Sequence, residues 1–98
     1  RGGEKVAPME VDEVLMLHEC VAQVVTFAMP HDKLGEEVAA AVVLREGMST
    51  TERALQDFAN GKLAAFKVPK KIVILAEIPK GATGKLQRIG LAQKLGLA

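Results

Sequence analysis

Two apolar runs on either side of a proline- and glycine-containing turn set the limits on what this chain can fold into. Val21 to Met29 and Val38 to Leu44 are dominated by Val, Ala and other apolar residues, and each reads as a strand. The second run is apolar at every position, which predicts a largely buried strand. Pro30 to Gly35 reads as the turn between them. Ile72 to Ala76 predicts a third strand. Helices are expected elsewhere. Pro8 suits a first helical turn, where its missing N–H costs nothing, and Val11, Val14, Leu15 and His18 then follow helical spacing. Ser49-Thr50-Thr51-Glu52 reads as a capping box opening a second helix with Leu55, Phe58 and Ala59 on one face. Gln87 to Leu95 predicts a short final helix. The expected architecture is α+β: a small three-stranded, mostly antiparallel sheet packed with helices, preceded by a short Gly-rich hairpin or turn at residues 1–8.

Ninety-eight residues make one domain with a modest core. With no Trp or Tyr and three Phe, that core must be built from Val, Leu, Ile and Ala. The scarcity of aromatics also argues against a stacking platform for single-stranded nucleic acid. No apolar run approaches the roughly 20 residues of a membrane-spanning helix. The single Cys20 precludes an internal disulfide and fits a reducing, cytoplasmic setting.

The net charge of +1 conceals an asymmetry. Residues 1–49 carry four basic and nine acidic side chains, whereas residues 50–98 carry nine basic and three acidic ones. The second half therefore attracts phosphates in general, although a lysine-rich solvated face has the same composition. His18, Cys20 and His31 lack the further ligands that a metal site would need, so no metal residue is assigned. Nor does any nucleophile motif support a catalytic triad.

The segment Pro79-Lys80-Gly81-Ala82-Thr83-Gly84-Lys85-Leu86-Gln87-Arg88 bears most directly on function. Glycine permits a tight turn and close approach to a ligand, and lysine adds a compact point charge on a flexible stem. Such a Gly-Lys loop can hold a phosphate; a plain polar turn between strand and helix has the same residues.

Pro79-Lys80 followed by Gly84-Lys85 resembles the last signature of the adenylate-forming acyl-CoA synthetases, relatives of luciferase and 4-coumarate-CoA ligase. Three further stretches are similar to that family in the same order. Gly2 to Asp12 resembles its Gly-x-x-(Ile/Val)-x-Pro-x-Glu-(Val/Ile)-(Asp/Glu) stretch. Pro30 to Glu37 resembles its Pro-Asp-x-x-x-Gly-(Glu/Gln) turn, and Leu63 to Pro69 its Leu-Ala-x-(Tyr/Phe)-Lys-(Val/Ile)-Pro segment. The likeness is confined to the family's small C-terminal domain. Departures from the pattern occur at His18-Glu19, at Ala28-Met29-Pro30-His31 and at Gly81; none touches Gly84-Lys85.

The resemblance implies that residues 1–98 are the C-terminal lid of an enzyme that converts a small carboxylic acid and ATP to an acyl-adenylate and then to a CoA thioester. It implies Lys85 as the catalytic residue, and Gly84, Gly3 and Lys5 as residues meeting the cofactors. ATP, CoA and Mg²⁺ are the implied cofactors, with the ATP and Mg²⁺ sites mostly in a large N-terminal adenylation domain of the same polypeptide. The fragment alone is expected to be inactive. Neither a nucleic-acid partner nor a membrane span is expected. A non-catalytic module gripping phosphates or RNA, and a docking domain using the acidic first half, are the rival readings; neither accounts for four motifs in family order.

Overall fold

The computed structural model describes residues 8–31, 35–78 and 91–96. Its elements are α1 (Pro8–Met16), β1 (Val21–His31), β2 (Gly35–Leu44), α2 (Glu52–Asn60), a single 3₁₀ turn (Ala65–Lys67), β3 (Lys71–Leu75) and α3 (Leu91–Lys94). The strands form one sheet in the order β1-β2-β3.

The α+β class is as the sequence predicts, and the sheet is mixed. β1 and β2 pair antiparallel from Val21 opposite Leu44 to His31 opposite Gly35. β2 and β3 pair parallel, from Ala39 opposite Lys71 to Val43 opposite Leu75. The parallel pair follows from connectivity, because the chain between β2 and β3 passes through α2 before re-entering the sheet, as a parallel crossover requires.

β2 is central, and Val38, Ala39, Ala40, Ala41 and Val42 are all buried. Alternate side chains of a strand face opposite ways. Ala40 and Val42 accordingly join Val11, Leu15, Leu55, Ala59, Leu63 and Ile72 in one apolar cluster beneath α1 and α2. Ala39 and Ala41 join Val25, Phe27, Ile78, Leu91 and Ala92 in a second cluster on the other face.

A bulge in β1 makes this division possible. The register shifts between Val21, opposite Leu44, and Gln23, opposite Val43. One extra residue reverses the facing of everything beyond it. Val21 therefore lies in the α1–α2 cluster, while Val25 and Phe27, at the same parity, lie in the opposite one.

Several local expectations shift. β1 continues through Pro30 and His31, so the strand does not end at the proline; an edge strand tolerates a residue without an N–H. β3 starts at Lys71 and ends at Leu75. His18 lies beyond α1, in a turn where its N–H donates to the Leu15 carbonyl at 3.1 Å. The cap of α2 is Thr51, whose side chain accepts from the Ala54 N–H. Ser49 does not cap. Glu52, its expected partner in the capping box, instead accepts the Ile72 N–H at 2.9 Å. The final helix is described over Leu91–Lys94 only, and the expected hairpin or turn at residues 1–8 lies almost wholly outside the described residues.

Candidate functional site

Lys85, Gly84, Gly3 and Lys5, the residues to which the sequence assigns chemistry, lie outside the described residues. What the structure does place are the flanks of the Gly-Lys segment. Ile78 and Leu91 are each 1% exposed, and both belong to the cluster on the face of the sheet opposite α1 and α2. Ile78 and Leu91, the described residues on either side of positions 79–90, thus share one apolar patch. An open depression is lined by Ala22, Gln23, Val43, Ala76, Glu77 and Ile78.

α3 depends on that patch. In its described part, Leu91 and Ala92 are buried in one cluster with Val25, Phe27, Ala39 and Ala41, and this packing holds the helix on the sheet. The alanines of β2 give these larger side chains room to approach the sheet.

The basic second half resolves into different situations. Lys67 Nζ contacts Glu10 Oε1 at 2.8 Å, with the Lys67 side chain 24% and the Glu10 side chain 43% exposed. That ion pair ties the 3₁₀ turn to the first turn of α1 across 57 positions of sequence. Lys62 Nζ lies 5.3 Å from the centre of the Phe58 ring, within the range of a cation–π contact. Lys70 and Lys71 are exposed at the start of β3, where Gln56 Nε2 donates to the Pro69 and Lys70 carbonyls at 3.1 Å each.

His18 and Cys20 have local structural roles. The Cys20 N–H donates to His18 Nδ1 at 3.1 Å, and the His18 ring meets Phe58 edge-on with centroids 5.0 Å apart. The buried Cys20 directs Sγ toward the Ser49 carbonyl at 3.7 Å. Among the described residues, no group of three His, Cys, Asp or Glu could hold a metal, and no helix is long and apolar enough to cross a membrane.

Sequence reasoning missed two carboxylates. Asp12 Oδ1 accepts the Thr26 N–H at 2.8 Å, and Glu52 Oε2 accepts the Ile72 N–H. Each connects a helix to an edge strand. Their separations of 14 and 20 positions carry no periodic signal.

Fold and flanks together define a small α+β domain in which Ile78 and Leu91, on either side of positions 79–90, pack in one cluster with residues of the mixed sheet. The chain belongs to the family described as the AMP-binding enzyme C-terminal domain, whose model matches residues 10–85 and so ends at Lys85. The chain is 50% identical over 93 residues to an oxalate–CoA ligase of Arabidopsis thaliana, covering 95% of this chain and 18% of that protein. A probable CoA ligase of Humulus lupulus is 53% identical over 88 residues, covering 90% of this chain and 17% of that protein. Among solved structures, ATP-bound MatB from Rhodopseudomonas palustris superimposes with a TM-score of 0.86 at 30% identity, covering 95% of this chain and 18% of that one. The chain therefore spans less than a fifth of the length of these relatives.

Proposed function

We propose that this domain is the mobile C-terminal lid of an AMP-forming acid–CoA ligase, working against a large adenylation domain of the same polypeptide. The observation that carries the reading is a family match running from residue 10 to Lys85, on a fold shared with an ATP-bound relative. In the proposed reaction a carboxylate oxygen attacks the α-phosphorus of ATP and pyrophosphate leaves. The CoA sulfur then attacks the acyl carbon of the adenylate and AMP leaves.

Lys85 serves the first step. Negative charge grows on the α-phosphoryl oxygens as the new O–P bond forms, and a preorganised ammonium in a water-excluded cleft stabilises that charge more in the transition state than in the ground state. Gly84 lets the backbone carrying Lys85 approach the phosphate. Gly3 and Lys5 serve the second step: a position without a side chain admits the pantetheine arm, and Lys5 meets a CoA phosphate. Rotation of the domain exchanges the two faces. Mg²⁺ would be held mostly by the adenylation domain, where it would offset phosphate charge.

The Arabidopsis relative is named for oxalate, which makes oxalate the first acid to test. The experiment is acid-dependent ATP–pyrophosphate exchange, followed by CoA thioester formation, with the full-length protein. Exchange that requires both an acid and the intact C-terminal domain is expected. Acid-dependent exchange of equal rate after deletion of residues 1–98 would overturn the reading.

A further inference from the structure

Five large hydrophobic side chains are exposed among the described residues, and three of them, Met9, Met16 and Leu17, lie on α1 and the turn that follows it. Their exposures are 65%, 41% and 68%. At about 100° per residue, Met16 and Leu17 fall within a quarter turn of Met9, opposite the buried Val11 and Leu15. Exposed Glu13 lies within the same stripe. α1 is thus apolar on both sides. α2 packs on the same cluster and differs, because its outer side carries the exposed Arg53, Asp57 and Asn60. A surface helix that faces water is polar on its outer side, as α2 is. Single exposed apolar residues need no explanation, whereas a contiguous patch marks a contact.

We propose that Met9, Met16 and Leu17 form a surface by which this domain docks against the larger, upstream part of its own polypeptide. The inference rests on the reading of the domain as a lid that works against an adenylation domain. The family is a C-terminal domain, and the match covers 18% of the Arabidopsis relative, so the bulk of such a protein precedes this domain. α1 is the first described element, and its outer side is the exposed apolar surface nearest in sequence to that bulk. Val11 and Leu15, both fully buried, fix the helix to the sheet and so hold the stripe outward. Methionine is flexible and adapts to irregular surfaces, which suits a contact that is made and released. Three apolar side chains beside a carboxylate also match interfaces between domains of one chain, which are smaller and more polar than permanent ones.

The test uses the full-length protein and dilute hydrogen peroxide, which converts an accessible methionine thioether to its sulfoxide. Oxidation of Met9 is followed by peptide mass spectrometry in wild type and in the Met16→Lys/Leu17→Lys variant. Both replaced side chains face outward, and lysine suits the C-terminal end of a helix, so the variant should fold; Leu17→Lys alone is read in the same way. Each protein is measured free, with ATP and the acid that supports exchange, and with CoA added. In at least one of these states, Met9 should oxidise about tenfold faster in the variant, the ratio for a contact formed about ten times as often as it is open. Met48, exposed outside α1, should not change.

Equal Met9 oxidation in wild type and variant in every state would overturn the docking surface. A difference confined to concentrations at which the full-length protein self-associates would also overturn it, since the occupant would then be a second copy. The ligase reading fails separately. Acid-dependent pyrophosphate exchange without the oxidation contrast removes the surface and leaves the ligase reading; the contrast without such exchange does the reverse.

Discussion

Asp12 Oδ1 accepts the Thr26 N–H at 2.8 Å, placing a helix carboxylate on the backbone of β1, an edge strand of the sheet. Glu52 does the same for Ile72 on the other edge strand, β3, at 2.9 Å. Edge strands offer backbone groups that can recruit another chain, and here α1 and α2 each contribute one carboxylate toward an edge. A hydrogen bond to a charged acceptor is worth about 1.5–3 kcal/mol. Asp12→Ala should therefore destabilise the domain by about 1–3 kcal/mol in urea unfolding, whereas Asp12→Asn, which keeps an accepting oxygen, should lose less. Equal losses for Asn and Ala would mean that charge, rather than acceptance from Thr26, is what matters.

The Glu10–Lys67 pair spans the same two-helix face at 2.8 Å, but both side chains keep contact with water. Its coupling energy in a double-mutant cycle should be at most about 1 kcal/mol, as for other exposed pairs, and should shrink as salt rises. A coupling well above that, insensitive to salt, would show that the pair is desolvated and holds the 3₁₀ turn against α1 in its own right.

These contacts mark where the sequence stops being legible. The strands show in one dimension because burial of β2 requires an unbroken apolar run from Val38 to Leu44, and burial of α2 requires Leu55 and Ala59 four apart. The side of the sheet that each β1 residue faces does not show, because a single bulge beyond Val21 reverses it. Parallel pairing of β3 depends on a crossover, not on any property of Lys71 to Leu75. Glu52 illustrates the limit most clearly. Its spacing from Ser49 fits a capping box, yet Thr51 caps the helix and the carboxylate reaches β3 instead. For the site, the proposed role of Gly84-Lys85 rests on residue type and family resemblance, while the burial of Ile78 and Leu91 in one cluster requires three dimensions.

Replacement of Lys85 with alanine in the full-length enzyme should slow adenylate formation by roughly 100–1000-fold, the usual loss for one charge-stabilising contact. Thioester formation from preformed adenylate should be spared. Single-turnover assays of each half-reaction check this. Equal loss in both steps would assign Lys85 to folding or to domain docking.

Gly3→Leu should produce the opposite pattern. A branched side chain at a position proposed to lie against pantetheine blocks the CoA thiol from the acyl carbon, so thioester formation falls while pyrophosphate exchange is preserved. Gly3→Ala should be intermediate, because a single methyl obstructs less. A fall in exchange as large as the fall in CoA transfer would make this glycine a requirement of the turn itself rather than of the passing substrate.

Residues 1–98 expressed alone should fold and catalyse nothing. Folding is expected because the sheet is covered by an apolar cluster on each face, and burial on that scale drives cooperative folding without a disulfide or a metal. Inactivity is expected because one lysine on one segment cannot hold ATP, Mg²⁺ and an acid in reacting geometry, and that positioning supplies much of the barrier reduction. Calorimetric titration with ATP and with CoA should show weak binding, since a few solvated lysine contacts scarcely offset the cost of immobilising a nucleotide. A short RNA titrated under the same conditions tests the rival phosphate-gripping module, whose affinity would fall steeply with salt. ATP-dependent formation of any acyl-CoA by this fragment, or tight ATP binding to it, would contradict a lid that works only against its adenylation domain.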